Sequence, residues 1–244
     1  MFIQWIFLIF SATLVTSKWI PERIAGGHSV SIKAVPWQAS LLKNGISNCG
    51  AVIYSERVVI TAAHCDDETA TFSVRVGSTN PDFGGQVVKV LRILKHEDYG
   101  LYYEISHDIA VIKLQTSLRM GAGVRSIPLA NSSPPPGSLV SVSGWGRTGK
   151  GKEYSDTLLE TTVSIVDQNA CREAHYGEIT KDMICAAAPG RDSCKGDSGG
   201  PLVFNGTLVG IVSYGRICAH PNFPGVYANV AELKPWILNA IRRL

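Results

Sequence analysis

Charged residues are scarce in this sequence, and no strongly basic or acidic tract occurs. Of its 244 residues, 18% are charged, and the formal net charge is only +3. The longest basic run is the pair Arg242-Arg243, so a nucleic-acid partner is not expected. Internal repeats and low-complexity segments are absent as well. The hydrophobic fraction of 45% indicates an ordinary globular chain that can build a sizeable core.

The N-terminus lacks a lysine or arginine ahead of its apolar run. Residues 1–15 are apolar apart from three polar side chains, and this run is too short to span a bilayer comfortably. Small residues follow as far as Ser17, as they do at a signal-peptidase site. A buried hydrophobic segment is the alternative, but the run begins at Met1. We therefore predict a signal peptide over residues 1–17, secretion, and no membrane association after its removal.

Cysteine is missing from this leader and confined to the chain beyond it. The six cysteines are even in number, which in a secreted chain suggests three disulfides, but the sequence does not fix which residues pair. None forms a Cys-x-x-Cys pattern, so a structural zinc site is not expected. Sequons at Asn131 and Asn205 are candidate glycosylation sites. The cysteines are Cys49, Cys65, Cys171, Cys185, Cys194 and Cys218.

Helical periodicity is rare, and most of the chain predicts strands. Short β-branched segments are bounded by turn residues. Residues 201–215 predict a hairpin, because Asn205-Gly206 suits a type I′ turn with two positive φ angles. Many short strands with turns between them indicate an all-β barrel or sandwich. The other predicted strands cover residues 73–76, 86–94, 109–114 and 139–145.

One helix is predicted, at the C-terminus. Pro235 suits the first turn of a helix, and Ile237, Ile241 and Leu244 then share one apolar face. Residues 132–137, SSPPPG, indicate a crossing between two halves of roughly 100 residues each. The strand patterns of the two halves are too intermingled to predict independent domains.

The segment DSCKGDSGGPL, residues 192–202, folds tightly around Ser198, because its three glycines permit backbone shapes that a Cβ forbids. A serine hydroxyl becomes nucleophilic only when a base takes its proton. His64, in VVITAAHC, is a candidate base, since a disulfide at the neighbouring cysteine would hold it rigidly. Asp108, in SHDIAVIKL, is the candidate acid behind it. His107 is excluded as a second site residue, because neighbours on a strand point to opposite faces.

Taken singly, these residues are ordinarily a loop histidine, an edge aspartate and a turn serine. Together, TAAHC, DIAVIKL, GDSGGPL and GVYANV resemble the trypsin-like branch of the chymotrypsin family of serine proteases. The resemblance covers residues 24–244 in the order His, Asp, Ser, which differs from the order in subtilisin-like and α/β-hydrolase enzymes. It is nearest in appearance to insect-type secreted trypsins. It implies an all-β fold of two packed six-stranded antiparallel barrels with a C-terminal α-helix.

The resemblance also implies the catalytic roles. Ser198 attacks the scissile carbonyl, His64 transfers the proton, and Asp108 holds His64. Ser213 matches a serine that pins the buried aspartate. The backbone N–H groups of Gly196 and Ser198 form the oxyanion hole. No cofactor is implied.

Substrate preference follows from the same resemblance. Asp192 matches the aspartate at the floor of the trypsin specificity pocket, and a buried carboxylate requires a cationic partner. Gly215 and Gly225 match the pocket-wall glycines, Ser193 adds a hydroxyl beside the floor, and Tyr214 occupies the substrate shelf. The enzyme is therefore expected to cut after Arg or Lys.

Activation is implied by PERIAGG. A cut after Arg23 would remove a propeptide over residues 18–23 and free Ile24, whose α-amino group would pair with Asp197. The mature protease domain is then residues 24–244. The activator is expected to be a trypsin-like protease or the enzyme itself. A monomer is expected, with protein or peptide substrates and protease inhibitors as its partners.

The disulfides implied by the resemblance are local pairs. The loop over residues 77–86 carries one carboxylate, Asp82, which is too few oxygen ligands for calcium, so no metal is expected. The implied pairs are Cys49–Cys65, Cys171–Cys185 and Cys194–Cys218.

Two positions depart from the pattern. Lys195 stands where digestive trypsins commonly carry glutamine, and Ile217 stands where the pocket entrance usually has glycine. These two residues are the best arguments for the alternative of a narrow-specificity processing or cascade protease. A non-catalytic binding homologue is a further alternative, but no member of the catalytic trio is missing from the sequence.

Overall fold

A computed structural model describes residues 25–149, 151 and 153–244. The predicted signal peptide, the propeptide and Ile24 lie outside the described residues. The strands are β1 His28–Ser29, β2 Gln38–Lys43, β3 Ile46–Ser55, β4 Val58–Thr61, β5 Phe72–Val76, β6 Gln86–Lys95, β7 Ala110–Leu114, β8 Leu139–Gly144, β9 Leu159–Ile165, β10 Met183–Ala187, β11 Pro201–Phe204, β12 Thr207–Tyr214 and β13 Gly225–Asn229. The α-helices are α1 Gln168–Ala174 and α2 Val230–Arg243, and a short 3₁₀ helix spans Ala63–Cys65.

The first half forms a closed six-stranded antiparallel barrel. Its strands follow the order β2-β3-β4-β7-β6-β5, and pairing of β5 with β2 closes the ring. Strand β4, of sequence VVIT, is buried along its whole length between β3 and β7. Because successive side chains point to opposite faces, both faces of this strand are covered, and its β-branched residues suit such packing.

The second half forms another closed six-stranded barrel. The order is β9-β10-β13-β12-β11-β8, and β8 pairs again with β9 to complete the ring. Strand β1 adds to the outside of β9, where His28 lies opposite Glu160. In the β11–β12 hairpin, Asn205 and Gly206 have φ angles of 46° and 73°, as the predicted type I′ turn requires. The predicted fold of two six-stranded barrels with a C-terminal helix is confirmed.

The C-terminal helix begins earlier than the sequence predicts. Asn229 caps α2 by accepting a hydrogen bond from the N–H of Ala231, and Pro235 lies inside the helix rather than at its start. Proline interrupts the hydrogen-bond ladder at that point, but burial of Leu233 and Ile237 against the first barrel offsets the loss. No helix in the described part of the chain is both long and apolar enough to cross a lipid bilayer.

Three disulfides each close a short loop, one in the first barrel and two in the second. Their members are the pairs that the resemblance implies, Cys49–Cys65, Cys171–Cys185 and Cys194–Cys218. Each disulfide of this kind typically stabilises a fold by about 2–4 kcal/mol. Two of them flank the segments that carry His64 and Ser198, so they fix these segments to the barrels.

Candidate active site

A buried carboxylate holds the candidate base. Asp108 is 2% exposed, and its Oδ2 lies 2.7 Å from Nδ1 of His64. The backbone N–H of His64 donates to Oδ1 of the same carboxylate over 2.9 Å. Ser213 donates its hydroxyl proton to Oδ2 over 2.5 Å. Because an ionised carboxylate only accepts, the proton on His64 sits on Nδ1 and leaves Nε2 as a base.

Local structure sets the direction of both side chains. His64 lies in the 3₁₀ helix after β4, beside the disulfide-bonded Cys65. Asp108 precedes β7 and does not lie on it. The sequence interpretation separates His107 from Asp108 by the alternation of side chains along a strand. This reason is wrong, because neither residue lies on β7. A left-handed turn, with φ of 53° at His107, directs that ring away, and its backbone N–H donates to Asp182 over 2.7 Å.

The turn around Ser198 presents two free N–H groups. Neither Gly196 nor Ser198 donates its backbone N–H to another residue of the described chain. Gly196 has a φ of 99°, and an added Cβ would lie 2.6 Å from the Tyr154 ring, so only glycine fits. The Ser198 carbonyl accepts a hydrogen bond from Gly50 of the first barrel over 2.7 Å. No hydrogen bond joins the Ser198 hydroxyl to His64 among the described residues.

Asp197 is a fully buried carboxylate behind this turn. Its two oxygens accept hydrogen bonds from the N–H of Gly146 over 2.7 Å and the N–H of Cys194 over 2.9 Å. Burial raises the pKa of Asp197 to about 6, although both hydrogen bonds lower it. No lysine or arginine within residues 25–149, 151 and 153–244 forms an ion pair with it. Its environment is suited to receive a buried cation.

A cavity of 430 Å³ opens beside Ser198. Ser193, Cys194 and Cys218 contribute to its wall. Asp192 adjoins this wall, is 3% exposed, and accepts a hydrogen bond from the N–H of Ala219 over 3.0 Å. Its Oδ1 is buried without a hydrogen-bond partner. Burial raises the pKa of Asp192 to about 7, because desolvation disfavours the charged form.

Small residues keep the space next to Asp192 open. A Cβ on Gly225, at the start of β13, would lie 2.6 Å from Oδ1 of Asp192. A Cβ on Gly215, which lines the cavity, would meet no atom within 4 Å. Ser193 contacts the Tyr227 hydroxyl over 3.2 Å. Gly225 therefore leaves room in front of Oδ1 of Asp192, Gly215 adds no side chain to the cavity, and a long side chain can enter.

The cavity rim carries the two departures from the trypsin pattern. Ile217, 40% exposed, and Lys195 both line it, together with Tyr214. Burial raises the pKa of the Tyr214 hydroxyl to about 12, so this side chain stays neutral. A branched side chain at the rim narrows access relative to glycine.

Three residues near the site were missed by sequence reasoning. Gly146 supplies an N–H to Asp197, and Arg147 lines the cavity. His175 is fully buried against Tyr214, with Nε2 2.9 Å from the Pro224 carbonyl. Gly146 had a signal in the sequence, because glycines flank Trp145 directly after β8. No local pattern marks the other two.

Metal ligation has little support in the described chain. Cys49, His64 and Cys65 are the group of ligand-type side chains that lie close together, but both sulfurs are in a disulfide and offer no thiolate. In the loop over residues 77–86, Arg75 donates to the carbonyls of Asp82 and Gly84 over 2.7 and 2.6 Å. The Arg75 guanidinium is thus hydrogen-bonded to carbonyl oxygens that a calcium ion would need as ligands.

Comparison with known proteins places this site in a family. The family model described as Trypsin matches residues 24–237. The chain belongs to the trypsin family. Trypsin delta of Drosophila erecta is 46% identical over 222 residues, which cover 88% of this chain and 87% of that protein. Trypsin alpha of Drosophila melanogaster is 44% identical over 223 residues, which cover 89% and 87%.

A solved structure agrees. Mouse neuropsin, described as a serine protease expressed in the limbic system of mouse brain, superposes with a TM-score of 0.83 at 38% identity. The match covers 88% of this chain and 98% of that one. As a member of the trypsin family, the protein is a serine endopeptidase that hydrolyses protein or peptide substrates, and protease inhibitors are expected partners.

Proposed function

We propose that the protein is a secreted endopeptidase, made as a zymogen, that cuts after Arg or Lys. The observation that carries the proposal is Asp192, a buried carboxylate with an unpartnered oxygen next to the cavity beside Ser198. A buried charge without a partner is costly. A substrate cation that reaches Asp192 removes this cost, so the pocket favours Arg and Lys over neutral side chains.

Acyl transfer requires each member of the catalytic trio in turn. Nε2 of His64 accepts the Ser198 hydroxyl proton as Oγ bonds to the substrate carbonyl carbon. The C–N bond then breaks, and His64 returns the proton to the leaving amine, which leaves an ester on Ser198. Water then attacks the ester carbonyl carbon as His64 takes one of its protons, the bond to Ser198 Oγ breaks, and His64 returns the proton to Oγ, which releases the acid. Asp108 stabilises the imidazolium formed in both steps, supported by the hydroxyl of Ser213.

The oxyanion hole stabilises the negative charge that develops on the substrate carbonyl oxygen. The N–H groups of Gly196 and Ser198 have no partner in the described chain and belong to one tight turn. Donors fixed before the reaction stabilise the tetrahedral intermediate without reorganisation. Loss of one such donor typically costs on the order of 10²- to 10³-fold in kcat.

Activation by proteolysis accounts for Asp197. The described chain starts at Ala25, which is buried and whose carbonyl accepts the N–H of Asp192 over 3.2 Å. A cut after Arg23 would place a new α-amino group on Ile24, one residue from this contact. Its ion pair with Asp197 would fix the turn that carries Gly196. Arg23 is itself a residue type that the Asp192 pocket accepts, so the mature enzyme is expected to activate its own zymogen.

The remaining assignments concern the chain as a whole. Residues 1–17 are proposed as a signal peptide, residues 18–23 as a propeptide, and residues 24–244 as the mature monomeric enzyme. Secretion agrees with three disulfides, which persist in oxidising compartments. Asn131 and Asn205 are both exposed, as glycosylation requires, but the Asn131 side chain is held by Lys234 over 2.6 Å.

A second candidate is a narrow-specificity processing or cascade protease. Ile217 at the cavity rim favours it, because the branched side chain limits which residues can enter beside the Arg or Lys. A non-catalytic binding role finds less support, since His64, Asp108 and Ser198 are all present in the sequence and His64 contacts Asp108 over 2.7 Å.

The proposal is tested by expressing the zymogen, cutting it after Arg23, and profiling cleavage in a peptide library. We expect cuts almost only after Arg and Lys, with activity appearing together with the Ile24 terminus. The control, Ser198→Ala, should lose about 10⁶ in kcat, by analogy with an unrelated serine protease. Activity before any Ile24 terminus forms, or no preference for Arg and Lys, would refute the proposal. Selectivity among Arg and Lys sites would favour the second candidate.

A further inference from the structure

We propose that Arg147 and Lys195 form a basic pair that selects substrates with an aspartate or glutamate flanking the cleaved bond. The inference rests on the proposed function, since it describes a second selection by the same cleft. It concerns the residues next to the Arg or Lys in the substrate and leaves that residue's own pocket unchanged.

The two cations are held side by side at the cavity. The backbone N–H of Arg147 donates to the Lys195 carbonyl over 2.8 Å. Both residues line the cavity that also contains Ser198. Lys195 is exposed, so its ammonium group can follow a bound peptide, whereas Arg147 is half-buried. A peptide in the cleft therefore passes two positive charges close to the nucleophile.

Tyr154 fixes the guanidinium next to the oxyanion turn. The carbon at the centre of the Arg147 guanidinium lies 5.0 Å from the centroid of the Tyr154 ring, as in a cation–π contact. The same ring packs over Gly196, since a Cβ there would lie 2.6 Å from it. Arg147 thus has a defined position relative to the scissile bond, and less entropy is lost when it binds a carboxylate.

Neither cation is neutralised by a residue that the structure describes. No carboxylate in the described part of the chain lies within ion-pair distance of Arg147 or Lys195, and Nε of Arg147 is buried without a hydrogen-bond partner. Arg216, another cation that lines the cavity, differs, because Glu178 pairs with it at 3.0 Å. Among residues 25–149, 151 and 153–244, no aspartate or glutamate lines the cavity. The unpaired positive charge is therefore available to the substrate.

The size of the effect follows from the exposure of the pair. Ion pairs at exposed positions contribute about 0.2–1 kcal/mol each. Two of them correspond to about a twofold to thirtyfold preference for Glu over Gln, at about 1.4 kcal/mol for each tenfold change. Lysine in the same place should be disfavoured by a similar factor, because like charges repel.

The test compares three peptides that differ only beside a single Arg, carrying Glu, Gln or Lys on either side of the cut. In the wild type we expect kcat/KM to fall in the order Glu, Gln, Lys at one or both sides. Arg147→Gln and Lys195→Gln should each reduce the Glu preference, and Lys195→Glu should reverse it in favour of Lys. Lys89→Gln is the matched control, because it removes the same charge from an exposed site on β6, outside the cavity. It should leave the preference unchanged.

Salt gives a second readout that a packing effect would not produce. At about 1 M salt the screening length falls to about 3 Å, and the Glu preference should largely disappear. Equal rates on Glu and Gln peptides, or a preference that survives Lys195→Glu, would overturn the inference. If the proposed function fails, none of the peptides is cut after Arg. If only this inference fails, the Gln peptide is still cut after Arg, so the two failures can be distinguished.

Discussion

Replacing Asp192 with serine should convert the pocket from one that selects cations to one that accepts neutral side chains. Asp192 is 3% exposed, and one of its oxygens has no hydrogen-bond partner within the described chain. Without the carboxylate, a bound Arg side chain would be buried with its charge unpaired. Losing one partner of a buried ion pair costs about 3–5 kcal/mol. At about 1.4 kcal/mol for each tenfold change, kcat/KM on Arg esters should fall between about 10²- and 10⁴-fold.

The assay measures kcat/KM for matched Arg, Lys and Leu esters on the activated enzyme. The Leu ester should gain relative to the Arg ester, because the proposed catalytic residues His64, Asp108 and Ser198 are untouched. Asp82→Ser is the matched control, since it removes an exposed aspartate from a loop of the first barrel. It should keep the wild-type ranking. If Asp192→Ser also ranks Arg above Leu by the wild-type margin, Asp192 does not receive the substrate cation.

Two further predictions concern buried carboxylates. Gly146→Ala would place a Cβ 2.4 Å from Oδ2 of Asp197. Such overpacking costs about 1–3 kcal/mol of folding free energy. Activity should therefore fall, and the Tm should drop by about 2–12 °C. Gly121→Ala, where a Cβ meets nothing within 4 Å, should change neither, and an unchanged Tm in Gly146→Ala would refute the argument. A small amidinium should bind about tenfold more weakly for each pH unit below about 7, because the raised pKa of Asp192 leaves its carboxyl group protonated there. Calorimetric titration should show constant affinity above that pH. If Asp192→Asn shows the same pH profile as the wild type, Asp192 is not the origin of the pH dependence.

The strands could be predicted because their signals are local. Residues 86–94 were predicted from β-branched composition, and β6 spans Gln86–Lys95. The turn at Asn205 was predicted from residue types that tolerate positive φ, and the φ angles agree. The prediction for the start of α2 is wrong, because proline is typical of the first turn of a helix but here lies inside it, and Asn229 caps the helix instead. Closure of each barrel depends on pairing between distant strands, which the periodicity of a single strand does not encode.

The candidate site was found through motifs, but its hydrogen bonds are non-local. Ser213 and Asp108 are 105 positions apart in the chain, and Gly146 and Asp197 are 51 apart. Residue types identify such groups as chemically able, while only the fold brings them within contact distance. The unpaired state of Arg147 depends on the absence of a carboxylate among the described residues that surround it. Sequence spacing gives no access to that property.

The division of the site between the two barrels also determines when, during folding, the proposed activity can first appear. His64 and Asp108 belong to the first barrel, whereas Ser198 and Ser213 belong to the second, and the hydrogen bond from Ser213 to Asp108 crosses between them. A folding intermediate with only one barrel formed therefore holds an incomplete set of reacting groups. Under the proposed mechanism such an intermediate could not hydrolyse a peptide bond, because hydrolysis requires both barrels to be folded and in contact.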